Sequence, residues 1–131
     1  MSPQSLQADH EHILIVEDDE QLLEFISEFV QELGFGVEEA CDGEAAFRTL
    51  SAGRLRGAPP PGAILLDLMM AGMNGWRFRY EQLRDPRFAE IPVIVMSASG
   101  LACGVSASAH LQKPFGFRDL RASLGTVFGP H

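Results

Sequence analysis

The chain has 131 residues, 46% of them hydrophobic, and a formal net charge of −8. That length builds one domain around a single core, and no apolar run is long enough to cross a bilayer. The charge argues against direct nucleic-acid binding, because phosphates would be repelled.

Residues 1–11 are polar, lack the basic-then-apolar order of a signal peptide and read as a loose tail. Cys41 and Cys103 are too few for a disulfide framework and fit no metal motif, which with the missing signal favours the cytoplasm. His12 to Val16 is mostly apolar and β-branched, a first strand, and it runs into Glu17, Asp18 and Asp19. Asp19 is the N-cap of a predicted helix. Leu22, Leu23, Phe25, Ile26, Phe29, Val30 and Leu33 keep its helical period, and Gly34 ends it. On its other face Glu20, Glu24, Glu28 and Glu32 form an acidic stripe, read as solvated.

Gly36 to Ala40 is a weak second strand, and Asp42-Gly43 turns into a short helix from Glu44 to about Ser51. Gly53 to Gly62 contains three consecutive prolines and reads as a rigid connector. Four apolar residues, Ala63 to Leu66, then run straight into Asp67. A short run that is apolar on both faces is a buried central strand, with Asp67 at its carboxyl end. Gly75 to Leu83 is a third helix, Ile91 to Met96 a fourth strand leading into Ser97, and His110 to Gln112 a short fifth strand ending at Lys113-Pro114. The last helix runs from about Gly116 to Phe128, with Phe117, Leu120, Leu124 and Val127 on one face.

Between Ser97 and Lys113 the chain leaves little room for a crossover helix. Once the fifth strand is subtracted, roughly ten residues remain, near the minimum for such a connection. Gly100, Gly104, Ser99, Ser106 and Ser108 weaken helix further. The fourth of five crossover-type helices is therefore expected to be short or missing.

Alternation of strands and helices predicts an α/β fold, a doubly wound five-stranded parallel sheet with helices on both faces. Right-handed crossovers bring the carboxyl ends of the strands to one edge. Glu17, Asp18, Asp67, Ser97 and Lys113 all lie at such ends. Three neighbouring carboxylates repel unless a cation neutralises them, and oxygen donors suit Mg²⁺. Lys113, the only lysine, offers a point positive charge and Ser97 a hydroxyl donor. The matching chemistry is phosphoryl transfer to a carboxylate, giving an aspartyl phosphate on Asp67.

The segments Ile13-Leu14-Ile15-Val16-Glu17-Asp18-Asp19, Leu66-Asp67-Leu68-Met69-Met70, Met73-Asn74-Gly75, Ser97-Ala98 and Lys113-Pro114-Phe115, in that order, resemble the receiver domain of two-component response regulators. The likeness covers residues 12–128 and implies a flavodoxin-like strand order of 2-1-3-4-5. It leaves residues 129–131 as a short end with no output domain, and the expectation is a stand-alone receiver that acts by protein contact, or a shuttle within a phosphorelay. It further implies that Asp67 accepts a phosphoryl group from a histidine kinase or a histidine phosphotransfer protein. Asp18 and Asp67 would hold Mg²⁺ (or Mn²⁺) directly, Glu17 through water and Met69 through its backbone carbonyl. Ser97 would be the switch hydroxyl, Lys113 the ion pair to phosphate, and Lys113-Pro114 a cis peptide. His110 stands where the family often has a switching aromatic residue, and Ala71 where it commonly has proline. The resemblance implies a non-enzymatic switch, a monomer or weak dimer, with an unidentified downstream protein as its target. Two other readings stay open: a degenerate receiver that works without phosphorylation, and an aspartyl-nucleophile phosphatase. The phosphatase class needs a second acid two residues past its nucleophile, where this chain has Met69.

Overall fold

The computed structural model describes residues 11–98 and 104–129. Among the described residues there are five strands and four helices, alternating except that β5 follows β4 directly: β1 (His12–Val16), α1 (Glu20–Glu32), β2 (Gly36–Ala40), α2 (Gly43–Leu55), β3 (Ala63–Asp67), α3 (Gly75–Leu83), β4 (Val93–Ser97), β5 (Ala109–Gln112) and α4 (Phe117–Phe128). The strands form one sheet in the order β2-β1-β3-β4-β5, every neighbouring pair parallel. This is the doubly wound parallel sheet expected from the alternation, in the flavodoxin-like strand order that the resemblance implied. Of the expected tail, residues 1–11, residues 1–10 lie outside the described residues, and Glu11 is fastened to the start of β2, its carbonyl accepting from the Gly36 amide at 3.1 Å.

Parity along the strands sorts the core into two layers, because successive side chains point to opposite faces. Ile13, Ile15, Leu65, Ile94, Met96 and Leu111 pack beneath α1 and α4, against Ile26, Val30, Leu120 and Leu124. Leu14, Val16, Ile64, Leu66, Val93 and Val95 pack on the other side, against Ala46 and Leu50 of α2 and Phe78 of α3. The central position of β3 explains why all five of its residues are buried, Asp67 among them.

Local chemistry sets the helix ends. Asp19 caps α1, its Oδ1 accepting from the amides of Gln21 at 3.0 Å and Leu22 at 3.2 Å. Asp42 does the same for α2 through the Ala45 amide at 2.8 Å. The second helix runs a turn further than its sequence suggested, to Leu55 rather than about Ser51. Gly53 is tolerated inside it, and the stop comes at Gly57, whose φ of +76° only glycine adopts readily.

The connection from β4 to β5 contains no helix among its described residues, Ala98 and Gly104 to Ser108; residues 99–103 lie outside them. Val105 and Ala107 of this connection pack against the α2–α3 layer of the core. Arg79 of α3 fastens it as well, its Nε donating to the Ser106 carbonyl at 2.8 Å.

Candidate functional site

Register brings the strand ends together. Val16 pairs with Leu66, Asp67 with Met96 and Ser97 with Gln112, so β1, β3, β4 and β5 all finish at one rim. Just beyond the ladder, the Glu17 amide donates to the Ala40 carbonyl at 3.0 Å and the Lys113 amide to the Ser97 carbonyl at 2.7 Å. These two bonds place the Glu17 and Lys113 side chains over the end of β3.

One carboxyl oxygen from each of Glu17, Asp18 and Asp67 lies within 4.8 Å of the other two. Glu17 is 1% exposed and Asp67 3%, whereas Asp18 is open to solvent. Lys113 bridges the two buried acids, with Nζ 2.8 Å from Glu17 Oε1 and 3.1 Å from Asp67 Oδ1. The second Glu17 oxygen accepts from the Asp19 amide at 3.1 Å, so both its oxygens are occupied. Burial pushes the Glu17 carboxyl above its ordinary range, the charge of Asp67 adds to this, and the hydrogen bonds from Lys113 and Asp19 only partly offset it. For Lys113 burial acts in the opposite sense and favours the neutral amine. The hydrogen bonds and charges of Glu17 and Asp67 outweigh it, and the ammonium form is held above its usual range.

The loop after Asp67 is shaped by two glycines with different tasks. Gly72 has a φ of +72° and turns the chain. Gly75 is needed for closeness: a Cβ there would sit 2.3 Å from the Asp67 carbonyl oxygen and 2.6 Å from Leu68 Cα. Its amide donates to the Leu68 carbonyl at 3.0 Å, pinning the start of α3 against the end of β3. Asn74 caps that helix through the Arg77 amide at 2.9 Å. Ala71 is more than a softer proline, because its amide donates to Asp18 Oδ2 at 3.3 Å and proline has no such donor.

Asp67 Oδ1 takes both the Lys113 ammonium and the Met69 amide, the latter at 3.3 Å. Among the described residues no hydrogen bond falls on Oδ2. Ser97 is buried, 4% exposed, at the end of the adjacent strand. His110 lies apart from this group: it is exposed, and its Nε2–H donates to the Val105 carbonyl at 3.0 Å. The Lys113–Pro114 peptide bond is cis. Sequence reasoning missed the Lys113–Glu17 pairing, which depends on side chains from the β1 and β5 ends meeting across β3 and β4. It also missed Gln82, wholly buried in α3, whose Nε2 donates to the carbonyls of Phe88 at 2.9 Å and Ile91 at 3.0 Å. Those bonds fix the turn that feeds β4.

The donor set is all oxygen and anionic, with one exposed carboxylate and two buried ones. That composition fits a hard divalent cation such as Mg²⁺ or Mn²⁺ and suits neither zinc nor copper.

Comparison with known proteins agrees with this geometry. Residues 13–125 match the family model described as the response regulator receiver domain. The chain is 30% identical over 121 residues to the phosphate regulon transcriptional regulatory protein PhoB of Escherichia coli (strain K12), covering 88% of this chain and 50% of that one. It thus spans about half the length of the curated relatives it matches. The receiver domain of the sensor histidine kinase PA1611 of Pseudomonas aeruginosa PAO1, solved with a magnesium ion coordinated in its active-site cleft, superposes with a TM-score of 0.79 at 25% identity, covering 92% of this chain and 98% of that one. The Mn²⁺-bound form of response regulator Rcp1 superposes with a TM-score of 0.71 at 26% identity, covering 88% and 90%. Among the described residues no helix is long and apolar enough to cross a membrane.

Proposed function

Because the chain belongs to the response regulator receiver domain family, we propose that Asp67 is its phosphoacceptor and takes the phosphoryl group of a phosphohistidine on a histidine kinase or histidine phosphotransfer protein. The observation that carries this is the Lys113 ammonium held between Glu17 and Asp67, with Asp18 beside them at the rim. In the transfer an Asp67 carboxylate oxygen attacks phosphorus, the P–N bond breaks, and the imidazole leaves with the electron pair. Oδ2 is the oxygen that no hydrogen bond occupies among the described residues, while Oδ1 is held still by Lys113 and the Met69 amide. Positioning of this kind supplies much of the rate in phosphoryl transfer, which asks little covalent chemistry of the protein.

Asp18 and Asp67, with the Met69 carbonyl, would hold Mg²⁺ directly, and Glu17 would reach it through water because both its oxygens are already engaged. Mg²⁺ bound there supplies positive charge to the equatorial phosphoryl oxygens. Lys113 spends two of its three N–H donors on Glu17 and Asp67 and keeps the third for the incoming phosphoryl group. Ser97 closes on that group from β4, and His110 follows through the shared β4–β5 edge. The protein works in the cytoplasm as a switch rather than an enzyme with turnover, and passes its state to a downstream protein by contact. Incubation with acetyl phosphate and Mg²⁺ tests the reading. Wild-type protein gains one acid- and base-labile phosphoryl group, and Asp67→Asn gains none; equal labelling of the variant would refute it.

A further inference from the structure

The net charge of −8 belongs to the whole chain, and the fold does not spread it evenly. Helix α1 carries Glu20, Glu24, Glu28 and Glu32, all exposed, with no basic residue. The helices on the opposite side of the sheet carry the reverse. Arg48, Arg54 and Arg56 lie on α2 and its C-cap, and Arg77, Arg79, Arg84 and Arg87 on α3 and the turn after it. Asp42, Glu44, Glu81, Asp85 and Glu90 oppose these seven arginines along the same stretches, so this layer is net positive within an acidic protein. The average charge of the chain therefore does not describe this face.

Much of that charge is unneutralised. Glu81 is taken by Arg77 at 2.9 Å and Asp85 by Arg87 at 2.7 Å. Among the described residues Arg48, Arg54 and Arg84 make no ion pair, and all three are exposed. Large apolar side chains stand exposed beside them: Leu55 at 89%, Tyr80 at 58% and Leu83 at 47%. The Arg84 guanidinium carbon lies 5.3 Å from the Tyr80 ring centroid. Between the two helices runs an open groove of about 670 Å³, with Phe47 and Met73 in its lining and Arg77, Arg84 and Arg87 along it. Arginine, tyrosine, phenylalanine and methionine are the residues that protein interfaces concentrate.

We propose that the outer face of α2 and α3 is a docking surface for an acidic segment of another protein, which sets an apolar side chain into the groove between the helices. The charge of the face selects the acidic partner, and the apolar side chains of Phe47 and Met73 in the groove select a peptide over a nucleic acid. A duplex draws its affinity from many phosphate contacts, and three bare arginines would release few of its counterions. Asp67 is not part of this surface, so its occupation stands apart from the phosphoacceptor reading.

A 12-residue peptide of alternating Glu and Ser with a central Leu, titrated into the isotopically labelled full chain, tests this by amide chemical shifts. Perturbations confined to α2, α3 and the groove are expected, with affinity falling at least several-fold between 50 and 200 mM salt, roughly as a few screened charge contacts require. Arg48→Glu/Arg84→Glu, two exposed residues outside any ion pair, weakens binding tenfold or more. Arg118→Glu/Arg121→Glu on α4 changes it less than twofold, and Asp67→Asn binds as wild type. Replacing the central Leu of the peptide by Ser costs at least fivefold. Absence of shifts, shifts on α1 or α4, equal loss in the α4 variant, an indifferent Leu position, or tighter binding of a 12-base-pair DNA duplex would each overturn the proposal.

Discussion

Replacing Gly75 by alanine sets two opposite effects against each other. Gly75 is the first residue of α3, and in an open helix alanine is favoured over glycine by up to about 1 kcal/mol. Here the added Cβ would lie 2.3 Å from the Asp67 carbonyl oxygen, 2.6 Å from Leu68 Cα and 2.9 Å from the Asp67 carbonyl carbon. Carbon–oxygen contacts settle near 3.3–3.6 Å, so the chain must open by roughly 1 Å. All three obstructing atoms are backbone, so no side-chain rotation relieves them. Overpacking of this kind costs about 1–3 kcal/mol, and loss of the Gly75 amide bond to Leu68 adds about 1 kcal/mol. The net for Gly75→Ala is a loss of about 1–3 kcal/mol, on the order of 10 °C in melting temperature for a chain of this size. The same opening displaces Asp67, and a shift of that scale lowers phosphorylation by acetyl phosphate on the order of 10²-fold. Urea unfolding and label incorporation are the two assays. Gly125→Ala in α4 is the control: nothing lies within 4 Å of its Cβ position, so alanine there stabilises. A Gly75→Ala protein as stable as wild type would refute the close-approach argument, because propensity alone would then be deciding the outcome.

Gln82→Leu removes the donors to the Phe88 and Ile91 carbonyls and the acceptor of Arg79 Nη1, and is expected to cost about 2–4 kcal/mol in urea unfolding with an unchanged m-value; a loss below 1 kcal/mol would count against it. Lys113 has its pKa raised in the fold, so its contribution to stability is fully present below the ordinary lysine value and is lost as pH rises through the folded one. Wild type should therefore lose stability relative to Lys113→Met above about pH 10.5, and parallel melting curves of the two proteins across that range would contradict this. Mg²⁺ at ten times its dissociation constant should stabilise the wild type by about 1.4 kcal/mol, and Asp18→Asn should lose most of that gain in a thermal melt. Equal stabilisation of the two proteins would remove Asp18 from the ligand set.

Much of this was legible because the strands advertise themselves. Ala63 to Asp67 reads as buried on both faces, and β3 is central and fully buried. Strand-end acids and Lys113 follow from the topology of a parallel sheet, since all carboxyl ends share a rim. What the sequence did not reveal depends on distances between elements. The sequence marks Gly75 only as the start of the third helix, whereas its task is to let α3 approach β3. Gln82 sits at a position that helical periodicity marks only as polar, and its burial follows from how the turn before β4 folds back over α3. Ala71 read as a lost proline, whereas its amide reaches an acid 53 residues earlier in the chain. Net charge concealed the basic α2–α3 layer, because a sum over the chain carries no information about faces.

The central claim is that Asp67 itself carries the phosphoryl group, and it is tested most directly by mapping the site. Protein labelled with acetyl phosphate and Mg²⁺ is reduced with borohydride, which converts an aspartyl phosphate to homoserine, and peptides are then sequenced by mass spectrometry. Homoserine at position 67, absent when Mg²⁺ is withheld, is the predicted result. Homoserine at position 18 or 19 with Asp67 intact, or a stable phosphate on a serine, would contradict the assignment.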